Sequence, residues 1–126
     1  MKSRDTLIRL KRFQADERKR RVTQIDAMIA EFARMAGDLD REIANEERRA
    51  GITDPTHFAY PTYARAAMAR RDNLKRSADE LKAQLEEAKA RHGEALEELG
   101  KAEALDGRDK TGERLIEAHD ISMARA

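Results

Sequence analysis

Apolar residues recur along this chain at the spacing of a packed helix. Ile8, Ala15, Val22, Ile29, Ala36 and Ile43 stand seven residues apart, and Ile25, Phe32 and Leu39 fall between them. Alternating steps of three and four keep such residues on one stripe, the seam along which two helices pack. The pattern predicts a helix over about residues 3–50. Its seam is strongest from Val22 to Ile43. It is poor before that, where Lys11 and Arg18 occupy core positions, and it ends on Glu46. Leu7, Leu10 and Phe13 form a separate apolar cluster off the stripe.

A second seam follows. Tyr60, Ala67, Leu74, Leu81, Ala88, Ala95 and Ala102 repeat every seven residues. Ala64, Ala78, Leu85 and Leu99 fill most of the alternate positions, with Arg71 and His92 as polar interruptions. This predicts a helix over about 61–105. Gly93 and Gly100 lie inside it, and each costs about 1 kcal/mol against alanine, so that end should be softer. Between the seams, Gly51 follows Arg48-Arg49-Ala50, a helix stop with cations in the last turn. Asp54-Pro55 and Tyr60-Pro61 come next. Proline suits a first helical turn and Asp54 a helix cap. Residues 51–60 therefore read as a loop with room for one short turn from Pro55.

Such a linker lets the helices fold back antiparallel. The expected fold is all-α: two long helices of matching length forming an antiparallel coiled-coil hairpin, one domain over residues 1–126. The half near the loop should be firm and the terminal half looser. After residue 105 the pattern fades. Asp106-Gly107-Arg108-Asp109 interrupts it, and Leu115, Ile116, Ile121 and Met123 leave a short amphipathic trace. Residues 106–126 either continue the helix or hang free.

Composition supports helices over a compact globule. Charged residues make up 40% and aromatic residues 4%, which leaves few large side chains for a central core. Disorder is the rival for so charged a chain, but 26 basic and 25 acidic residues nearly cancel. Cysteine is absent, so disulfides, thiol catalysis and thiolate metal sites are excluded. No apolar run is long enough to span a membrane and no signal segment follows Met1, which reads as a cytoplasmic protein.

Candidate chemistry is sparse. His57 belongs to the loop, His92 to the seam and His119 to the tail, so no metal site or catalytic set is expected; His92 reads as a polar interruption that fixes register. No metalloprotease, phosphate-loop, serine-hydrolase or dinucleotide motif occurs. A two-helix hairpin offers no concave pocket to tune its many carboxylates. The chain reads as a non-enzyme without a cofactor.

Two surfaces stand out. Arg18-Lys19-Arg20-Arg21, with Arg9, Lys11 and Arg12 before it, is either a solvated helix face or a site for an acidic partner. Nucleic acid fits poorly, since no aromatic residues are interleaved with these charges and the net charge is only +1. A membrane surface would want more bulky apolar residues than Leu7, Leu10 and Phe13. Phe58, Tyr60 and Tyr63 place three aromatic rings within six residues of the bend. They either plug the end of the hairpin or form a binding patch.

Three segments resemble the flagellar export protein FliJ family in its alphaproteobacterial form. They are the opening Lys2-Ser3-Arg4-Asp5-Thr6-Leu7-Ile8-Arg9-Leu10-Lys11-Arg12-Phe13, the stretch Ala50-Gly51-Ile52-Thr53-Asp54-Pro55, and Phe58-Ala59-Tyr60-Pro61-Thr62-Tyr63-Ala64. The resemblance covers nearly the whole chain, although coiled-coil seams share composition cheaply and only these segments discriminate. It implies an antiparallel two-helix coiled coil of the flagellar type III secretion apparatus. Such a protein serves as central stalk of the hexameric export ATPase, contacts the export-gate membrane protein FlhA and handles export substrate chaperones. It has no activity or cofactor of its own, and meets the membrane only through partners at the inner face. By position along the hairpin, the resemblance makes Arg9, Arg12, Arg18 and Arg21 contacts of the ATPase ring. It likewise makes Leu39, Ile43, Tyr60 and Tyr63 contacts of the export gate. At 126 residues the chain is short for this role. The alternatives are a self-associating structural coiled coil and a basic coiled-coil arm for nucleic acid.

Overall fold

The computed structural model describes residues 2–125; residues 1 and 126 of the expected hairpin lie outside them. Two long helices, α1 (Lys2–Ala50) and α2 (Thr62–Arg125), pack against each other, and no strand occurs among the described residues. The fold is the helical hairpin that the two seams predict.

The helices are not matched in length: α1 has 49 residues and α2 has 64. The helix continues through Asp106 and Gly107 instead of ending near Leu105. Its apolar period fades there, but the heptad does not, because Asp106 and Asp109 take the next seam positions and are partly buried. Lys110 supports this turn by pairing with Asp106 at 3.0 Å, one helical turn away. Arg108 and Lys110 have good helix propensity although Asp106, Gly107 and Asp109 do not, so propensity alone does not carry the helix through this stretch.

The chain forms two compact units. One comprises residues 21–87; the other combines the residues up to Arg20 with those from Ala88. In the first, Ile25, Ala36, Leu39 and Ile43 of α1 are buried against Ala64, Ala67, Leu81 and Leu85 of α2. Every one is a heptad position. Ile25, at 1% exposure, is the most deeply buried large side chain. Ile52, Met68 and Leu74 close over the group formed by Leu39, Ile43, Tyr60, Ala64 and Ala67.

The bend ends this unit. Gly51 has φ 68°, and its N–H donates to the Glu47 carbonyl at 2.8 Å. This left-handed cap satisfies a carbonyl of the last helical turn, and glycine adopts it without a side-chain clash. Asp54 does not cap α2. Its carboxylate accepts from the Thr56 N–H (2.9 Å) and hydroxyl (2.7 Å), folding the loop on itself. That double bond holds its carboxyl below the usual range. The His57 N–H reaches the Asp54 carbonyl at 3.1 Å, so Pro55 does open a short turn. The Arg65 N–H then bonds the Pro61 carbonyl at 3.1 Å, which starts α2.

The second unit has a different interior. Its buried apolar residues are Ala15, Ala88 and Ala102. Ile8, Lys11, His92, Ala95 and Leu99 are half-buried. Large apolar side chains lie outside: Leu7, Leu10, Phe13, Leu96, Leu105, Leu115, Ile116, Ile121 and Met123.

Candidate protein-binding surfaces

The three aromatic rings at the bend have separate environments. Tyr60, 4% exposed, is the plug. Its hydroxyl donates to Glu47 Oε2 at 3.1 Å and lies 3.4 Å from Met68 Sδ, and the Arg65 guanidinium stands 5.6 Å from its ring centre. Burial, then the Glu47 carboxylate, pushes its phenol above the ordinary value. Tyr63 is exposed and donates to Glu42 Oε2 at 2.7 Å, which also holds its phenol up. Phe58 is 95% exposed and stacks on His57 with centroids 4.8 Å apart. The loop beneath it is braced: the Ala59 N–H donates to His57 Nδ1 and the Tyr60 N–H to the His57 carbonyl, each at 3.0 Å. Phe58 is thus presented on ordered backbone.

This corrects the expected export-gate set. Leu39, Ile43 and Tyr60 point into the hairpin and are buried. Their apolar atoms are used up in holding the helices together, so of the four only Tyr63 offers surface to a partner.

The basic residues are not one patch. Nine residues separate Arg9 from Arg18, which sets them about half a turn apart on α1. Arg12 lies beside Arg9 and pairs with Glu103 of α2 at 3.7 Å. Arg18 lines a polar groove of about 370 Å³ with Lys11, Gln14, Arg91, Glu94 and Glu98. Arg21 belongs to the other unit and is exposed. Residues next to these contribute too: Arg20 pairs with Glu17 on its own helix. Of the four, Arg12 is therefore already opposed by a carboxylate, and Arg18 shares its groove with Glu94 and Glu98.

Two features lie outside the expected sites. In residues 21–87 a mainly apolar groove of about 430 Å³ opens beside the seam, between Phe32, Ala33 and Gly37 on α1 and Leu74, Ala78 and Lys82 on α2. The seam loosens there because small residues stand where larger ones would fill the gap. Ala33, Ala36, Gly37 and Ala78 were the available signal in the sequence. The second feature is Arg71, a polar seam residue whose partners the sequence does not reveal. It bonds Asp40 of the facing helix at 3.0 Å and Asp72 at 3.1 Å, and these carboxylates raise its already high pKa. One of these bonds, that to Asp40, crosses between the helices and favours this register.

Among the described residues, no group of His, Asp or Glu side chains could hold a metal ion, and no helix is long and apolar enough to cross a membrane. Comparison with known proteins found no family model, no curated protein and no solved structure that this chain matches.

Proposed function

We propose that this chain is a non-enzymatic component of the flagellar type III protein export apparatus. It would act as stalk of the export ATPase ring and as a general chaperone contacting the export gate FlhA. The observation that carries the reading is that the segments bearing the resemblance build the hairpin. Ala50–Pro55 supplies the left-handed cap of α1 and the first loop turn. Phe58–Ala64 supplies the Tyr60 plug and the entry to α2. Residues 2–13 open α1. In this role Arg9, Arg12, Arg18 and Arg21 face the ring, and Tyr63 faces the gate. The protein works in the cytoplasm, reaching the inner membrane face through its partners.

The test is ATP hydrolysis by the export ATPase of the same organism, with and without the purified chain. Saturable stimulation is expected, and Arg9→Gln, Arg18→Gln and Arg21→Gln together, which leave the Arg12–Glu103 pair in place, should weaken it while helicity persists. A wild-type chain that neither binds nor stimulates the ATPase refutes the stalk role.

One observation favours a second reading, a self-associating structural coiled coil. Among its described residues, the unit containing Ala88 exposes nine large apolar side chains, including Phe13, Ile116 and Met123. Sedimentation at several concentrations separates the two, because a monomer throughout disposes of self-association.

A further inference from the structure

The unit that combines residues up to Arg20 with those from Ala88 lacks what holds residues 21–87 together. Its buried side chains are alanines, which give up one methyl group each to the interior. Ionisable Lys11, His92, Asp106 and Asp109 occupy positions along its seam. Beside the half-buried Ile8 and Leu99, what joins its two helical stretches is charge. Lys11 Nζ stands 2.9 Å from Glu98 Oε2, Arg12 pairs with Glu103 at 3.7 Å, and Arg4 pairs with Asp109. The Lys11 bond also holds the Glu98 carboxyl below its usual range.

The charges around these pairs have the same sense. Residues 3–20 carry seven basic and three acidic side chains; residues 88–123 carry nine acidic and six basic. Arg4 reaches Asp109, so the part of α2 beside residues 3–20 runs to about 110, and residues 88–110 carry six acidic and five basic side chains: a basic stretch lies against a weakly acidic one. All six paired side chains are open to solvent: the most covered, that of Lys11, is still 26% exposed. Mobile ions can reach and screen every pair. Residues 21–87 differ in kind, since Ile25, Leu39, Ile43, Leu81 and Leu85 join their helices by burial. Salt does not weaken that contact.

We propose that the unit containing Ala88 is an electrostatic zipper, its two stretches held side by side by ion pairs over an alanine seam, so that raised salt parts them while residues 21–87 stay closed. This holds whether or not the export reading does. Parting has a second signature. Residues 3–20 extend a helix already formed over 21–50, so parting lets them fray from the end away from Arg21 without melting α1 as a whole. A highly charged protein surface competing for Lys11, Arg12 or Glu98 would open the unit by the same route.

The chain has no cysteine, so paired spin labels can be introduced cleanly. One pair, Leu7→Cys with Ala104→Cys, reports on the zipper; a second, Ala44→Cys with Ala66→Cys, reports on residues 21–87. All four positions are exposed. Distance distributions are compared between about 0.05 M and about 1 M sodium chloride, where the screening length falls to about 3 Å. The Leu7/Ala104 pair is expected to lose its single narrow distance at high salt while the Ala44/Ala66 pair keeps it. Lys11→Glu should produce the same loss at low salt, and Lys11→Glu with Glu98→Lys should restore the narrow distance. A Leu7/Ala104 distance unmoved by salt and by Lys11→Glu overturns the proposal. So does broadening of both pairs together, which would mean general unfolding.

Discussion

Replacing Gly93, Gly100 and Gly107 together by alanine should stiffen α2, and the structure fixes the size of the effect. All three lie within the helix, and a Cβ built at any of them meets nothing within 4 Å. No clash therefore opposes the gain in helix propensity. Each substitution is worth about 0.5–1 kcal/mol, so the three together give roughly 1.5–3 kcal/mol. Amide exchange over residues 88–123 is the direct assay, since it reads local opening. At about 1.4 kcal/mol per tenfold, protection there should rise about 10- to 100-fold. Gly51→Ala is the internal control with the opposite sign. Its Cβ would also stand in open space, but the residue sits at φ 68°, where an L side chain costs about 1–2 kcal/mol. That variant should therefore unfold at lower urea concentration. The reasoning fails if the triple variant exchanges as fast as the wild type, or if Gly51→Ala is neutral.

The bend offers a second contrast. Tyr60→Ala removes a buried ring and its bond to Glu47, and is expected to cost about 3–5 kcal/mol in urea unfolding. Phe58→Ala, at a nearly bare ring, should stay within about 0.5 kcal/mol of wild type. Alkaline pH gives a third. The Tyr60 and Tyr63 phenols are raised above the ordinary tyrosine value in the folded chain, by burial and the Glu47 carboxylate and by the Glu42 carboxylate respectively. Unfolded phenols then ionise first, so their contribution is complete below about pH 10 and is lost as pH rises through the folded values. Midpoints of denaturation followed upward from pH 9 should fall, and less steeply in Tyr60→Phe; parallel curves for the two proteins would contradict the assignment.

What periodicity carries, it carries to the residue. Ala64, Ala67, Leu81, Leu85, Ala88 and Ala102 are heptad positions and all are buried, as is Tyr60 one step upstream of Ala67. The same lattice separates the aromatic cluster, since Phe58 falls off it and is exposed. Leu39, Ile43 and Tyr60 lie on the lattice, so the sequence already marked them as interior. Transferring partner contacts to them by position along the hairpin conflicts with that mark. The tail was not legible because apolar period and helix are different properties: Asp106 and Asp109 keep the seam's spacing without its chemistry. Arg71 shows the limit from the other side. Its place in the seam is evident from spacing, but the Asp40 that makes this tolerable lies 31 residues away on the facing helix.

The two seams differ in composition as well as position, and this links sequence to behaviour. Where isoleucine and leucine fill the lattice, as at Ile25, Leu39, Ile43, Leu81 and Leu85, each buried side chain contributes about 1.5–3 kcal/mol, and residues 21–87 need little from charge. Where alanine replaces them, the contribution falls toward that of one methyl group. Exposed ion pairs worth about 0.2–1 kcal/mol each then become comparable to the core. Softness at Ala15, Ala88 and Ala102 is thus written in side-chain volume, while control of it lies in Lys11, Glu98 and their neighbours. A partner that binds this end has to compete with those carboxylates, so its affinity should depend on the strength of the chain's own internal pairs.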